Sequence, residues 1–126
     1  MPSQAPSVLV VEDDPDLRYV FRVSLIVAGF RVREAADGYM ALAALEDDMP
    51  DVIVLDLGLP RVSGFIVLDE IAARDDTAGL AVVVVTGLDV DERHNTTYLR
   101  KPVEPQRLVH TVRGELRRRG SGLSAT

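Results

Sequence analysis

Carboxylate, hydroxyl and ammonium side chains follow four separate apolar stretches of this sequence. They are Glu12 and Asp13, Asp56, Thr86, and Lys101. Carboxylates gathered at one place repel one another and raise one another's pKa, so they require cations nearby at neutral pH. A hard divalent ion such as Mg²⁺ suits oxygen ligands, and Lys101, the single lysine among 14 basic residues, supplies a fixed positive charge. A nucleophilic oxygen surrounded by cations is what phosphoryl transfer requires.

The elements that must position these groups alternate between apolar strands and amphipathic helices. The pattern predicts strands over residues 8–11, 30–35, 52–55, 81–85 and 97–99. Helices are predicted after Asp14-Pro15, after Asp37-Gly38 and after Gly64, with a last helix over residues 102–119. The polar stretch 89–95 has room for at most about two turns of helix.

Fully apolar strands that alternate with amphipathic helices predict a parallel sheet covered on both faces. Five such strands favour an α/β, doubly wound sheet with the flavodoxin-like strand order 2-1-3-4-5. In that order the crevice lies outside the carboxyl ends of the strands. The chemical groups named above would therefore meet at one edge of the sheet.

Length and composition exclude several classes of protein. A chain of 126 residues with 47% hydrophobic side chains predicts one globular domain. The absence of cysteine excludes disulfide scaffolds, thiol catalysis and cysteine-ligated metal sites. The sequence shows no signal peptide and no apolar run long enough to cross a membrane, so we expect a cytoplasmic protein without membrane insertion.

Charge is distributed unevenly along the chain. Residues 1–99 carry 7 Arg and 18 acids, a balance of −11, and residues 100–126 carry 7 basic and 2 acidic residues, a balance of +5. An acidic body matches nucleic acid poorly, so no direct contact with nucleic acid is expected. The basic end suits the negative end of a helix dipole.

Four stretches of the sequence resemble the receiver domain of bacterial two-component response regulators, in particular the chemotaxis regulators. They are residues 8–14 (VLVVEDD), 52–60 (VIVLDLGLP) with Ser63 and Gly64, 82–87 (VVVVTG), and 98–102 (YLRKP). The resemblance covers about residues 7–118. It predicts a single receiver domain over 1–126, with a loose tail at 119–126.

The resemblance implies a role for each matching residue. Asp56 would accept a phosphoryl group from a phosphohistidine, and Lys101 would contact first the carboxylate and then the phosphoryl oxygens. Mg²⁺ would be bound by Asp13, Asp56 and the backbone carbonyl of Gly58, with Glu12 helping. The switch residues would be Thr86, whose hydroxyl would turn to the phosphoryl group, and Tyr98, which would swing inward behind it. By analogy, a cis bond would precede Pro102.

The sequence departs from the family between Thr86 and Lys101, which lie only 15 positions apart. The residues missing here belong to the family's fourth helix, between strands 4 and 5, which we expect to be truncated or missing. Many relatives use that surface to dimerise or to contact an output partner. A homodimer is therefore a candidate whose mode the sequence does not define.

The resemblance favours a phosphorylation-dependent switch that accepts its phosphoryl group from a sensor histidine kinase or histidine phosphotransfer protein and signals to an unknown downstream protein. It would not be an enzyme beyond its own phosphorylation and dephosphorylation. One alternative is a degenerate receiver that binds proteins independently of phosphorylation. An FMN carrier is disfavoured by the acids after strand 1, and an aspartyl-phosphate hydrolase by Gly58, where such enzymes usually have a second Asp. No chemistry is assigned to His94 or His110.

Overall fold

A computed structural model describes residues 5–77, 79–89 and 96–124 of the chain. Its elements are β1 (Ser7–Val11), α1 (Pro15–Val27), β2 (Arg31–Ala35), α2 (Gly38–Asp47), β3 (Val52–Leu55), α3 (Gly64–Ala73), β4 (Ala81–Thr86), β5 (Thr97–Arg100) and α4 (Pro105–Ser124). A single 3₁₀ turn, Asp75–Thr77, follows α3. The prediction for His94 lies outside the described residues. In the described part of the chain, no helix has the length and apolarity needed to cross a membrane.

The five strands form one sheet in the order β2-β1-β3-β4-β5. All four neighbouring pairs are parallel, as the uninterrupted apolar runs of β1, β3 and β4 predict. The registers align the carboxyl ends, since Val11 pairs with both Ala35 and Leu55. The predicted fold class and strand order are confirmed.

Alternate residues along each strand feed two hydrophobic cores, one on each face of the sheet. Leu9, Leu55 and Val84 belong to the core shared with α2 and α3. Val10 and Val54 belong to the core shared with α1 and α4. The side chains of successive strand residues point to opposite faces, so a strand buried on both faces must be apolar throughout.

Short polar side chains begin the first three helices, as the sequence indicates. The Asp14 carboxylate accepts a hydrogen bond from the Asp16 amide at 2.9 Å, and Pro15 follows at the first helical position. Asp37 caps α2 through the Met40 amide at 2.8 Å, and Ser63 caps α3. These caps fix where each helix leaves the edge of the sheet that carries the polar residues.

The last helix differs from its predicted bounds at both ends. It begins at Pro105 and continues to Ser124, so residues 119–124 are helical where the sequence predicts a loose tail. Glycine and serine near that end suggest a coil, but each added helical residue gains a backbone hydrogen bond once the helix has formed. The Leu108 amide donates to the Glu104 carbonyl at 3.2 Å, which makes Pro105, and not Pro102, the first helical residue.

The connection between β4 and β5 is short, as expected. It comprises residues 87–96, and its described residues, 87–89 and 96, are not helical. Ten residues therefore join β4 and β5, which agrees with the shortened helix 4 region that the sequence predicts. The polar stretch from residue 90 to residue 95 lies outside the described residues.

Candidate functional site

Three carboxylates meet where β1 and β3 end. The Asp56 amide donates to the Val11 carbonyl at 3.1 Å, which continues the ladder between the two strands by one residue. Carboxylate oxygens of Glu12, Asp13 and Asp56 lie within 4.8 Å of one another. Glu12 and Asp56 are buried, whereas Asp13 is exposed, so the cluster opens to solvent on one side.

Lys101 reaches this cluster from the far end of β5. Its amide donates to the Thr86 carbonyl at 2.9 Å, and the peptide bond between Lys101 and Pro102 is cis, as the resemblance implies. Its Nζ atom lies 2.7 Å from Glu12 Oε1 and 2.9 Å from Asp56 Oδ2. One ammonium group therefore contacts two of the three carboxylates.

Burial and charge act against each other in this group. Burial raises the pKa of Glu12, assisted by the charge of Asp56, although its contacts with Lys101 and the Asp14 amide oppose the rise. For Lys101, burial alone would lower the pKa, but its close contacts with the carboxylates of Glu12 and Asp56, and their negative charges, outweigh burial and raise the pKa. The ammonium form of Lys101 is thus stabilised by the acids around it.

Backbone amides orient the two buried carboxylates. Asp56 Oδ1 accepts from the Gly58 amide at 3.0 Å, while its Oδ2 faces Lys101. Glu12 Oε2 accepts from the Asp14 amide at 3.1 Å. Both carboxylates are therefore held in fixed directions without closing the cluster.

Thr86 is buried at the end of β4, and its hydroxyl oxygen accepts a hydrogen bond from the Leu88 amide at 3.2 Å. This bond leaves the hydroxyl proton available for donation to another acceptor. The role of Leu88 is absent from the sequence interpretation. The signal was present, because a threonine followed two residues later by a turn amide is a common local motif.

Tyr98 lies on β5 opposite Val84 and is half-buried against the core shared with α2 and α3. Its ring also lines a groove of about 510 Å³ together with Pro102 and Val103. Strand alternation places Val84 and Thr86 on the same face, so Tyr98 lies one step from the threonine along that face. Whether it acts as a switch stays a prediction. His110 is exposed on α4.

The carboxylate cluster suits a hard divalent cation. Glu12 Oε1 is fully buried, and its contact with Lys101 is an ion pair that leaves this oxygen without an aligned hydrogen bond. An oxygen of this kind beside two further carboxylates is a suitable ligand for Mg²⁺. The candidate ligand set is Glu12, Asp13 and Asp56, to which the resemblance adds the Gly58 carbonyl.

A family model described as the response regulator receiver domain matches residues 8–113. This match covers most of the chain and includes every residue of the candidate site. The chain belongs to the response regulator receiver domain family. Receiver domains are signalling modules that act with histidine kinases. This general function agrees with the one that the sequence predicts.

Relatives of this receiver domain include transcriptional regulators. It is 37% identical over 123 residues to the transcriptional regulatory protein PrrA of Mycobacterium tuberculosis, covering 93% of this chain and 52% of that protein. It is 32% identical over 120 residues to the DNA-binding dual master transcriptional regulator RpaA of Synechocystis sp., covering 90% and 50%. The chain thus spans about half the length of the curated relatives it matches.

Solved structures show the same fold over nearly their whole length. The chemotaxis protein CheY4 of Vibrio cholerae superimposes with a TM-score of 0.81 at 28% identity, covering 89% of this chain and 99% of that one. The superposition therefore extends over nearly all of both chains. It gives no support to the alternative of a degenerate module.

Proposed function

We propose that this receiver domain accepts a phosphoryl group on Asp56, with Mg²⁺, from a phosphohistidine of a sensor histidine kinase or a histidine phosphotransfer protein. The observation that carries the proposal is the position of Lys101 Nζ. This atom lies 2.7 Å from Glu12 Oε1 and 2.9 Å from Asp56 Oδ2, beside the exposed Asp13. An ammonium and a divalent ion together can neutralise a phosphoryl group as it arrives.

The proposed transfer forms a bond between an Asp56 carboxylate oxygen and phosphorus as the bond from phosphorus to the imidazole nitrogen breaks. The imidazole keeps the electron pair and takes a proton from solvent. Lys101 then contacts phosphoryl oxygens, and the Gly58 amide keeps the Asp56 carboxylate in its direction. Bound Mg²⁺ would neutralise negative charge on the phosphoryl group.

Two further residues would carry the phosphorylation signal away from the site. Phosphorylation adds nearly two negative charges and three strong acceptors at the end of β3. The Thr86 hydroxyl oxygen accepts a hydrogen bond from the Leu88 amide, so the hydroxyl proton remains available to donate to a phosphoryl oxygen. A shift of Thr86 would free space on the face where Tyr98 lies, and an inward movement of that ring would change the surface of β5.

The downstream partner would be a protein, and a second copy of the chain is one candidate. The excess of acidic residues over residues 1–99 supports contact with proteins and not with nucleic acid. DNA binding is a property stated for the relative RpaA, of which the chain covers half. The same proposal includes a cytoplasmic location and no enzymatic activity beyond the domain's own phosphorylation and dephosphorylation.

The test is incubation with acetyl phosphate and Mg²⁺ followed by intact-protein mass spectrometry. We expect a phosphoryl adduct on the parent protein and none on Asp56→Asn, because the amide is not a nucleophile for phosphorus. Asp47→Asn, which removes an exposed carboxylate of α2, is the matched control and should be phosphorylated like the parent. Absence of an adduct on the parent would favour the phosphorylation-independent module.

A further inference from the structure

The loop between β3 and α3, residues 56–63, contains Asp56 and Gly58 and faces the start of α2. Within it, Arg61 has a φ of 67°, the only positive φ of a non-glycine residue in the described ranges 5–77, 79–89 and 96–124. That left-handed conformation is unfavourable for a residue with a side chain. Contacts elsewhere must therefore hold Arg61 in place.

The Arg61 side chain makes two contacts with the start of α2. Its Nη1 atom lies 3.5 Å from Asp37 Oδ2, and its guanidinium carbon lies 5.2 Å from the centre of the Tyr39 ring. Asp37 is buried and uses its other oxygen to cap α2 through the Met40 amide. One carboxylate thus serves both the helix and the loop.

The backbones also touch beneath these side chains. A Cβ added at Gly38 would lie 1.8 Å from the Val62 carbonyl oxygen, so only glycine fits at this contact. At the other end of the loop, a Cβ added at Gly64 would lie 2.1 Å from the Asp56 carbonyl oxygen. The loop is therefore held at both ends, with Arg61 between them.

We propose that Arg61 is a positioning residue: its contacts with Asp37 and Tyr39 hold the β3–α3 loop so that the Gly58 backbone and the Asp56 carboxylate keep their arrangement. The link is the hydrogen bond from the Gly58 amide to Asp56 Oδ1 at 3.0 Å, three residues before Arg61. The part of this inference that concerns Mg²⁺ affinity rests on the proposed function, whereas the part that concerns the loop does not.

The main variant is Arg61→Gly, because glycine adopts the left-handed backbone without strain and loses both side-chain contacts. We expect amide hydrogen exchange at Gly58, followed by NMR, to accelerate about three- to tenfold, the effect of one cation–π contact and one partly exposed ion pair. We expect Mg²⁺ affinity, measured by calorimetry with the metal alone, to fall by a similar factor. Arg117→Ala, at an exposed position of α4, is the control and should change neither.

A second variant, Tyr39→Leu, removes the ring but keeps the Asp37 cap, and should give part of the same acceleration at Gly58. If Arg61→Gly and Tyr39→Leu both leave Gly58 exchange unchanged, Arg61 does not position the loop. If Arg61→Gly accelerates exchange at Gly58 while acetyl phosphate fails to modify the parent protein, the positioning role of Arg61 stands. That result would contradict only the proposed phosphorylation.

Discussion

At the scale of single residues, the site depends on one cation placed between two buried acids. Lys101 Nζ contacts both Glu12 and Asp56, and Glu12 is only 2% exposed. Burial favours the protonated form of Glu12 and raises its pKa, while Lys101 opposes that rise. Removal of the ammonium would leave the two carboxylates facing each other with less compensation for their burial.

Lys101→Gln should lower the free energy of unfolding at pH 7.5, in a chelating buffer, by about 1–2 kcal/mol, less than for a fully buried pair because Lys101 is partly exposed. A raised pKa means that folded Glu12 binds more protons than unfolded Glu12 above pH 4.5, so its contribution to stability falls as pH rises. The contribution of Lys101, whose pKa is raised from 10.5, is constant below that pH.

The loss in Lys101→Gln should therefore be smaller at pH 5 than at pH 7.5, where the unpaired Glu12 carries more negative charge. Urea denaturation of the parent and the variant at both pH values measures the difference. An equal loss at the two pH values would show that Lys101 does not stabilise the Glu12 carboxylate.

At the scale of elements, close backbone contacts set where each helix starts relative to the site. The amide of Gly64 donates to the Leu57 carbonyl at 3.0 Å, and its Cα lies against the backbone of Asp56. The first turn of α3 therefore rests on the residue that bears the proposed phosphoacceptor. A displacement of α3 would move Asp56 directly.

Gly64→Ala should destabilise the domain by about 2–4 kcal/mol, since an added Cβ would lie 2.1 Å from the Asp56 carbonyl oxygen and the backbone must shift. Gly79→Ala is the matched control: a Cβ there meets nothing within 4 Å, and the change should stay within about 0.5 kcal/mol. Urea denaturation of both variants tests this. Equal midpoints would contradict the close contact between α3 and Asp56.

At the scale of the whole molecule, the fold concentrates negative charge at one edge of the sheet. The chain has a net charge of −6, and three of its acids converge within 4.8 Å. This arrangement opposes folding unless a cation is bound. A divalent ion that binds only the folded state should therefore stabilise the domain. Removal of one of the three carboxylates should stabilise the domain even when no ion is bound.

Asp13→Asn should raise the free energy of unfolding in chelating buffer by about 0.5–1 kcal/mol, because it removes repulsion at an exposed position. Millimolar Mg²⁺ should stabilise the parent, by about 2.7 kcal/mol at a hundred times the Kd, and stabilise the variant less. Thermal unfolding with and without Mg²⁺ gives both quantities. Asp47→Asn should respond to Mg²⁺ as the parent does, and a parent insensitive to Mg²⁺ would contradict the proposed metal site.

The amino-acid sequence by itself determined the alternation of strands and helices, the parallel sheet and the strand ends at which Glu12, Asp56, Thr86 and Lys101 stand. These features follow from local patterns, namely buried strands that are apolar throughout and a helix cap such as Asp14. The extent of the last helix escaped prediction, because glycine and serine near its end weaken the local signal without breaking the helix.

Only the tertiary structure decided that Lys101 contacts Glu12 as well as Asp56, that Arg61 adopts a left-handed backbone against Asp37 and Tyr39, and that Gly38 must lack a side chain. Each of these contacts joins residues that belong to different elements. Their distances depend on how the whole sheet and its helices pack, and the pattern of residues within any one segment carries no record of that packing.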